Sequence, residues 1–429
     1  MAVNPFAPIS LEHAKVAREA SHRAATTRMV RSAKAARANS STPDNLAAAM
    51  AALRAHDALS EAFGFDEMAR HVVVLSALPR VGGIAEEINE AGGRPLRDVD
   101  VSKILELLQV GGLPKLGWDS VWRAIHLLAA ERSFHPIRDY LNSLRWDGKA
   151  RVASWLSYYL GADDTAYTRA IGRFFVISMV ARVRKPGCKA DQTIVFEGPQ
   201  GCFKSTTCRI LASPRWFSDA LPDLRSKDSS EHLRGVWVVE ISELAAFRRA
   251  DIEVLKAFMS RTSERYRPAY GRETVHEPRQ CIFVGTTNAS LYLHDPSGGR
   301  RFWPVKVGTI DPAALEHDRD QLLAEADALF LGGERWWADA DFERLHCKPE
   351  QEARFEADPW QSRIEAHVAN ASRVKATDVA VECLGFEIKL VGTAVQRRVT
   401  NILSGLGFRL QRSASGRWYV RDGVTHDAQ

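Results

Sequence analysis

The chain has 429 residues, with 58 Lys+Arg against 53 Asp+Glu and a formal net charge of +5. Apolar residues make up 45% and charged residues 26%, which excludes a wholly disordered, collagen-like or disulfide-scaffold protein and, at about 150 residues per domain, predicts two or three domains. No run approaches the roughly 18 to 20 apolar residues of a membrane helix, no signal-peptide core opens the chain, and the six scattered cysteines include no CxxC pair, so the reading is a reduced, cytoplasmic protein with no membrane partner and no structural zinc.

Residues 1–60 read as a basic, Ala-rich arm, mobile or marginally helical. The first forty hold seven Lys or Arg, two Glu and eleven Ala, with few large apolar residues to bury. A solvated tail and a nucleic-acid contact both fit this composition. Residues 61–190 predict a helical lead-in, with apolar residues at helical spacing around 121–128 and 171–180. From 191 to 345 the pattern changes. Short β-branched runs at 193–196, 236–239 and 282–284 alternate with helix-like stretches, which predicts an α/β sheet. Residues 346–373 read as a charged connecting helix and 374–429 as a small separate module.

The first of these strands runs into Gly198-Pro199-Gln200-Gly201-Cys202-Phe203-Lys204-Ser205-Thr206, and a helix pattern follows. Strand, Gly-rich loop and helix together are the context of a phosphate-binding loop. The loop's N–H groups and the helix N-terminus would face phosphate, Lys204 would reach the β/γ-phosphates, and Ser205 would coordinate Mg²⁺. Phe203 stands where a glycine usually precedes the lysine, and a coincidental Gly-rich turn is the competing reading.

The next strand, Val236 to Val239, ends in Glu240, and Glu243 follows. A carboxylate after four apolar β-formers is costly unless paired or metal-bound. Either acid fits the metal or the base of an ATPase, and the spacing does not separate them. The third strand ends in Gly285-Thr286-Thr287-Asn288, where Asn288 can orient water. Gly298-Gly299-Arg300-Arg301 then offers two arginines suited to reaching a phosphate across a subunit boundary, or to packing on Phe302 and Trp303. Between these motifs, 256–279 carries six basic and three acidic residues. Lys256, Arg261, Arg265, Arg267 and Arg272, interleaved with Tyr266 and Tyr270, suit a nucleic-acid backbone and its bases, with a solvated face as the alternative.

In the last module, Thr377-Asp378 and Thr393 read as helix caps. Val395, Val399, Ile402, Leu403 and Leu406 form one helix face, and strand–turn–strand follows over 408–421. Helix–helix–hairpin is the plan of a winged helix. Six arginines and no acid lie between Gly392 and Arg421. Arg397, Arg398 and Arg417 are the DNA-contact candidates, against a protein-docking role.

EGPQGCFKSTTCRILA, LRGVWVVEISELAAF, LKAFMSRTSERYRPAYGRE, PRQCIFVGTTN and DPSGGRRFWPV occur in this order. Together, and with the lead-in FHPIRDYLNSLRWDGKARVASWL, they resemble the virulence-associated E (VirE/VapE) family over about residues 95–345. That family's ATPase core is similar to superfamily III helicases. The resemblance implies an AAA-like P-loop ATPase using ATP and Mg²⁺, assembled as a homo-oligomer, a hexameric ring. It implies Lys204 and Ser205 as the Walker A pair, Glu240 and Glu243 as the acidic block, and Asn288 as the sensor. Arg300 or Arg301 becomes a trans-acting finger, and 256–272 becomes a pore-facing DNA hairpin. The expected function is an ATP-dependent DNA helicase or translocase in replication of a phage, plasmid or genomic-island element, with a separate primase as partner. The alternative is a nucleotide-dependent oligomeric switch without unwinding activity.

Overall fold

The computed structural model describes residues 45–421 apart from 80, 82–92, 222, 225, 227, 248, 269–272, 294–298, 356–357 and 414–415. The first 44 residues of the basic arm therefore lie outside the described residues. The arm's last part does not behave as a tail. Helix α1 (Leu46–Ala55) starts at Asn45, whose side chain accepts hydrogen bonds from the Ala47 and Ala48 N–H groups, and it buries Ala49, Met50 and Leu53.

The lead-in is not all helical either. Strands β1 (Phe63–Asp66), β2 (His71–Val74), β3 (Arg94–Pro95) and β4 (Ser133–Phe134) form a sheet in the order β3-β2-β1-β4. Helices α2 (Asp98–Val110) and α3 (Trp118–Ala130) share a buried cluster with α1 and this sheet, including Phe63, Val74, Ile104 and Ile125. Each strand spans four residues or fewer, and only β1 and β2 pair locally, so helical periodicity dominates the local sequence signal.

Helices α4 (Pro136–Ser143), α5 (Trp155–Leu160) and α6 (Ala166–Arg184) lead to the central sheet. Thr165 caps α6 by accepting from the Thr168 N–H, and α6 is buried on almost every side. The sheet comprises β5 (Thr193–Glu197), β6 (Phe217–Ser218), β7 (Val238–Ile241), β10 (Ile282–Thr287) and β11 (Phe302–Lys306), with helix α7 (Lys204–Ala212) after β5. Helix α8 (Arg249–Met259) and the antiparallel hairpin of β8 (Ser263–Tyr266) and β9 (Val275–Pro278) fall between β7 and β10. The sheet order is β11-β5-β10-β7-β6, and every pairing is parallel.

Strands β5, β7 and β10 are buried throughout, as parallel strands covered on both faces must be. Trp155, Trp237 and Trp303 fill the core. Pro304 sits in β11, an edge strand, where its missing N–H breaks no central ladder. Helix α9 (Pro312–Leu331) follows and buries Leu315, Leu322 and Leu323.

The 346–373 stretch is not one connecting helix. Its first part packs on the sheet. Arg354 donates to both oxygens of Glu197, at 2.9 Å through Nε and 3.0 Å through Nη2. Tyr292 donates to the same carboxylate at 2.8 Å. Its second part, α10 (Gln361–Val368), joins the C-terminal unit. There β12 (Arg373–Val374), helical turns over 376–383, helix α11 (Thr393–Gly405) and the hairpin of β13 (Phe408–Ser413) and β14 (Gly416–Arg421) follow. The two helical segments begin at Lys375 and Gly392 as caps, not at Thr377 and Thr393. The three strands run β12-β14-β13, around Ile364, Val399, Leu403 and Phe408. No described helix is long and apolar enough to cross a membrane.

The Glu197 carboxylate is 6% exposed and depends on Arg354 for its charge partner. Removing one member of a buried pair strands the other. Arg354→Ala is therefore expected to lower unfolding stability by about 3 kcal/mol, read as a fall in the urea midpoint, whereas Arg344→Ala, an exposed ion pair, is expected to change it by under about 1 kcal/mol.

Candidate functional site

The carboxyl ends of β5, β7 and β10 meet in a cavity of about 350 Å³ lined by the 200–206 loop, Glu240, Ser242, Glu243 and residues 286–288. Parallel register brings them together: Thr286 lies opposite Phe196 of β5, while Val284 lies opposite Glu240 of β7. The loop leaving β5 needs its glycines. Gly201 has φ +80°, and a Cβ on Gly198 would come within 2.9 Å of Val307 Cγ2. Phe203 takes up a left-handed conformation, φ 65° and ψ 21°, as the N-cap of α7, with its ring 54% exposed. That is the conformation a glycine adopts without strain, so the substitution keeps the turn and strains it.

Lys204 is buried, and its Nζ donates to the Gly198 carbonyl at 2.8 Å, the Pro199 carbonyl at 2.8 Å and Asn288 Oδ1 at 2.9 Å. Ser205 donates to Glu240 Oε1 at 2.6 Å, and Thr286 donates to the same oxygen at 2.7 Å. Glu240 is fully buried and its second oxygen, Oε2, has no hydrogen-bond partner among the described residues. A buried carboxylate with one satisfied and one open oxygen, next to a serine hydroxyl, is a donor set that suits a hard divalent cation. Glu243 is exposed, at a left-handed φ of 51°, and accepts from Asn288 Nδ2 at 3.3 Å. The structure thus separates two acids whose spacing left them equivalent. Glu240 is buried beside Ser205, and Glu243 lies at the cavity mouth beside Asn288.

Thr286 is passed over in the sequence reading. Its signal is one of two hydroxyls at the polar end of a strand that is otherwise buried and apolar. Glu197 was also missed, although an acid directly before the glycine loop is the same kind of signal.

The two arginines lie elsewhere. Strand β11 runs parallel to β5 with Phe302 opposite Thr193 and Lys306 opposite Glu197. Arg300 and Arg301 therefore sit at the amino edge of the sheet, about 13 Å of strand away from the edge that carries Lys204. Arg301 donates from Nε to Ser260 Oγ at 2.9 Å and lies 3.8 Å from Asp191. Arg300 is exposed and has no hydrogen-bond or ion-pair partner among the described residues.

The hairpin expected over 256–272 is displaced: residues 256–259 end helix α8, and the hairpin of β8 and β9 runs from Ser263 to Pro278, with a different set of exposed residues. Lys256 is buried and paired with Glu253 at 3.0 Å, so it does not face a polymer. Tyr266 is also buried, its hydroxyl donating to Glu277, and its ring lies under Arg234. Arg261 lies over Phe258 and pairs with Glu264 at 3.4 Å. Arg265 and Arg267 are exposed on the hairpin. Tyr270 and Arg272 fall outside the described residues. At the hairpin foot, burial opposes the charge on Glu264, but the Arg279 guanidinium, the Ser230 hydrogen bond and Arg261 together hold the carboxyl below the ordinary glutamate range.

In the C-terminal unit, Arg398 is not a free contact. It is bidentate to Asp358, at 2.8 and 2.9 Å, and stacks 3.8 Å from the Trp360 ring. Arg397 and Arg417 are exposed. Arg412, also exposed, stands directly opposite Arg417 across the hairpin. Like charges in that position repel, and an anion between them would relieve the repulsion.

The fold and site define a mixed α/β protein with a polar centre at the carboxyl edge of a parallel sheet. The chain belongs to the virulence-associated protein E-like domain family, whose model matches residues 141–356. No curated protein is a significant match. Among solved structures, an apo A form of the NrS-1 C-terminal region is 12% identical, over 84% of this chain and 96% of that one, with a TM-score of 0.42. A second apo structure of that region gives 12%, 84%, 95% and 0.43. A proline-to-glycine mutant of Thermotoga maritima RuvB is 18% identical over 59% of this chain and 92% of that one, with a TM-score of 0.22.

The loop conformation makes a prediction of its own. With the ring removed in both variants, Phe203→Gly is expected to unfold at higher urea than Phe203→Ala, by roughly 1 kcal/mol, because only glycine takes a left-handed N-cap without strain. The opposite order would mean that the loop leaves this conformation in solution.

Proposed function

We propose that the protein is an ATP-dependent DNA translocase or helicase, active as a ring of identical subunits in the replication of a phage, plasmid or genomic-island element. The observation that carries this reading is the convergence of Lys204, Ser205 and a fully buried Glu240 with one open oxygen. Mg²⁺, held by Ser205 and Glu240, would neutralise charge on the nucleotide's phosphates. Lys204 binds the β/γ-phosphates, which compete with Asn288 for its ammonium group. The Asn288 amide, so released, orients the attacking water, and Glu243 at the cavity mouth accepts its proton.

Arg300 is the finger. It is exposed at the opposite edge of the sheet from its own Lys204, so it serves a neighbouring subunit's nucleotide and stabilises charge there. The N-terminal arm, the hairpin with Arg265 and Arg267, and the C-terminal unit supply DNA contacts. The order helix, strand, two helical segments and hairpin in that last unit supports a winged helix, with Arg397, Arg412 and Arg417 toward phosphates.

The test is ATP turnover with and without single-stranded DNA, together with unwinding of a forked duplex. Lys204→Ala is expected to abolish turnover. Arg300→Ala is expected to lower it about 10³-fold at unchanged nucleotide affinity, the scale of a lost arginine finger. Mixing the two inactive variants is expected to restore part of the turnover, because some interfaces then pair an intact loop with an intact arginine. Unchanged turnover in Lys204→Ala overturns the ATPase reading. Turnover with no response to DNA and no strand separation places the protein as a nucleotide-dependent switch instead.

A further inference from the structure

Arg301 sits beside the exposed Arg300 in a single helical turn, Gly299–Arg301, yet is occupied inside its own subunit. Its partner, Ser260, is the residue directly after α8. Helix α8 follows the loop that carries Glu243, and at 1.5 Å per residue its eleven residues span about 16 Å. One end of this rod begins six residues after the acid at the cavity mouth. The other end carries the contact with Arg301.

Two guanidinium groups meet at that far end, where a helix exposes unpaired carbonyls and partial negative charge. Arg279 donates from Nη1 to the Phe258 carbonyl at 2.6 Å and the Met259 carbonyl at 3.2 Å. It also reaches Glu264 of β8 from Nε at 2.9 Å, and its N–H donates to the Thr262 carbonyl at 2.9 Å. The helix end and the hairpin foot are therefore one clamped body. Ser260 links that body to Arg301. Its hydroxyl accepts from Arg301 Nε at 2.9 Å and donates to the Lys256 carbonyl at 2.8 Å. Arg301 holds the sheet edge as well, 3.8 Å from Asp191.

We infer that the Arg301–Ser260 hydrogen bond is the coupling that transmits engagement of Arg300 by a neighbour's nucleotide to the β8–β9 hairpin, so that Arg301 and Ser260 are positioning residues and not finger residues. This rests on the ATPase reading above. When Arg300 is drawn to a phosphate, the shared turn moves Arg301. One hydroxyl then passes the displacement to the end of α8 and, through the Arg279 clamp, to the hairpin. Asp191 supplies the fixed side against which Arg301 moves. A clamp that merely stabilises the fold would use the same contacts, so the test must read coupling and not stability.

The experiment compares wild type, Ser260→Ala and Ser260→Thr as full-length proteins, with oligo-dT as the DNA. Basal ATP turnover and nucleotide-free oligo-dT affinity are expected to match in all three. The ratio of DNA-stimulated to basal turnover is expected to fall about fivefold in Ser260→Ala, the low end of measured coupling between sites, and to recover in Ser260→Thr, which keeps the hydroxyl. Equal stimulation in Ser260→Ala and wild type overturns the inference and leaves the ATPase reading intact. Loss of basal turnover and of stability together in Ser260→Ala also overturns it, in favour of a structural clamp. A wild type whose turnover ignores DNA overturns the proposed function, and the coupling with it.

Discussion

A carboxylate with no solvent contact is the constraint around which the centre of this molecule is arranged. Glu240 lies within β7, a strand paired on both sides in a parallel sheet, where an isolated charge would cost far more than a typical hydrogen bond returns. Two hydroxyls meet one of its oxygens, Ser205 from the first turn of α7 and Thr286 from β10. Those donors exist only because β10 lies between β5 and β7 in register, and because the 198–203 loop returns the chain to the same edge. The sheet order, the strained Phe203 turn and the buried Lys204 are thus parts of one solution for a single ionisable group. Its second oxygen has no hydrogen-bond partner among the described residues.

Much of this is legible in the sequence. Strand, loop and helix around Lys204, the acid after Val236–Val239 and the polar end of β10 are local patterns, and local patterns survive in sequence. What failed to show was set by distant partners. Lys256 reads as a basic residue among basic residues, yet it is buried against Glu253. Tyr266 reads as a stacking platform and lies instead beneath Arg234 with its hydroxyl occupied. Arg398 falls off the apolar face of its helix as expected, but Asp358, forty residues earlier, takes both of its ends. The lead-in sheet was hidden for the same reason. Its strands are too short to impose a period, and their pairing spans up to about seventy residues of chain.

The separation of the two arginines also had no sequence signal. Adjacent residues of one type invite a common role, but a single helical turn points them apart. Arg301 turns toward Ser260 and Asp191, and Arg300 toward solvent. Two glutamates three residues apart differ in the same way, Glu240 within the strand and Glu243 just past it in a left-handed turn. At both places the backbone assigns different surroundings to side chains of identical chemistry.

Pro304 was explained above by where it can be tolerated. It also limits how copies of the chain can meet. An edge strand normally presents free N–H and carbonyl groups to any strand that comes alongside, and sheets from separate molecules then merge into aggregates. On β11 the proline has no N–H to offer, and the Phe302 carbonyl is taken by Gln351 Nε2 at 3.0 Å. Two of the positions a visiting backbone would use are thus withheld. Association at this side of the molecule then leans more on side chains, which discriminate between partners as a bare backbone does not.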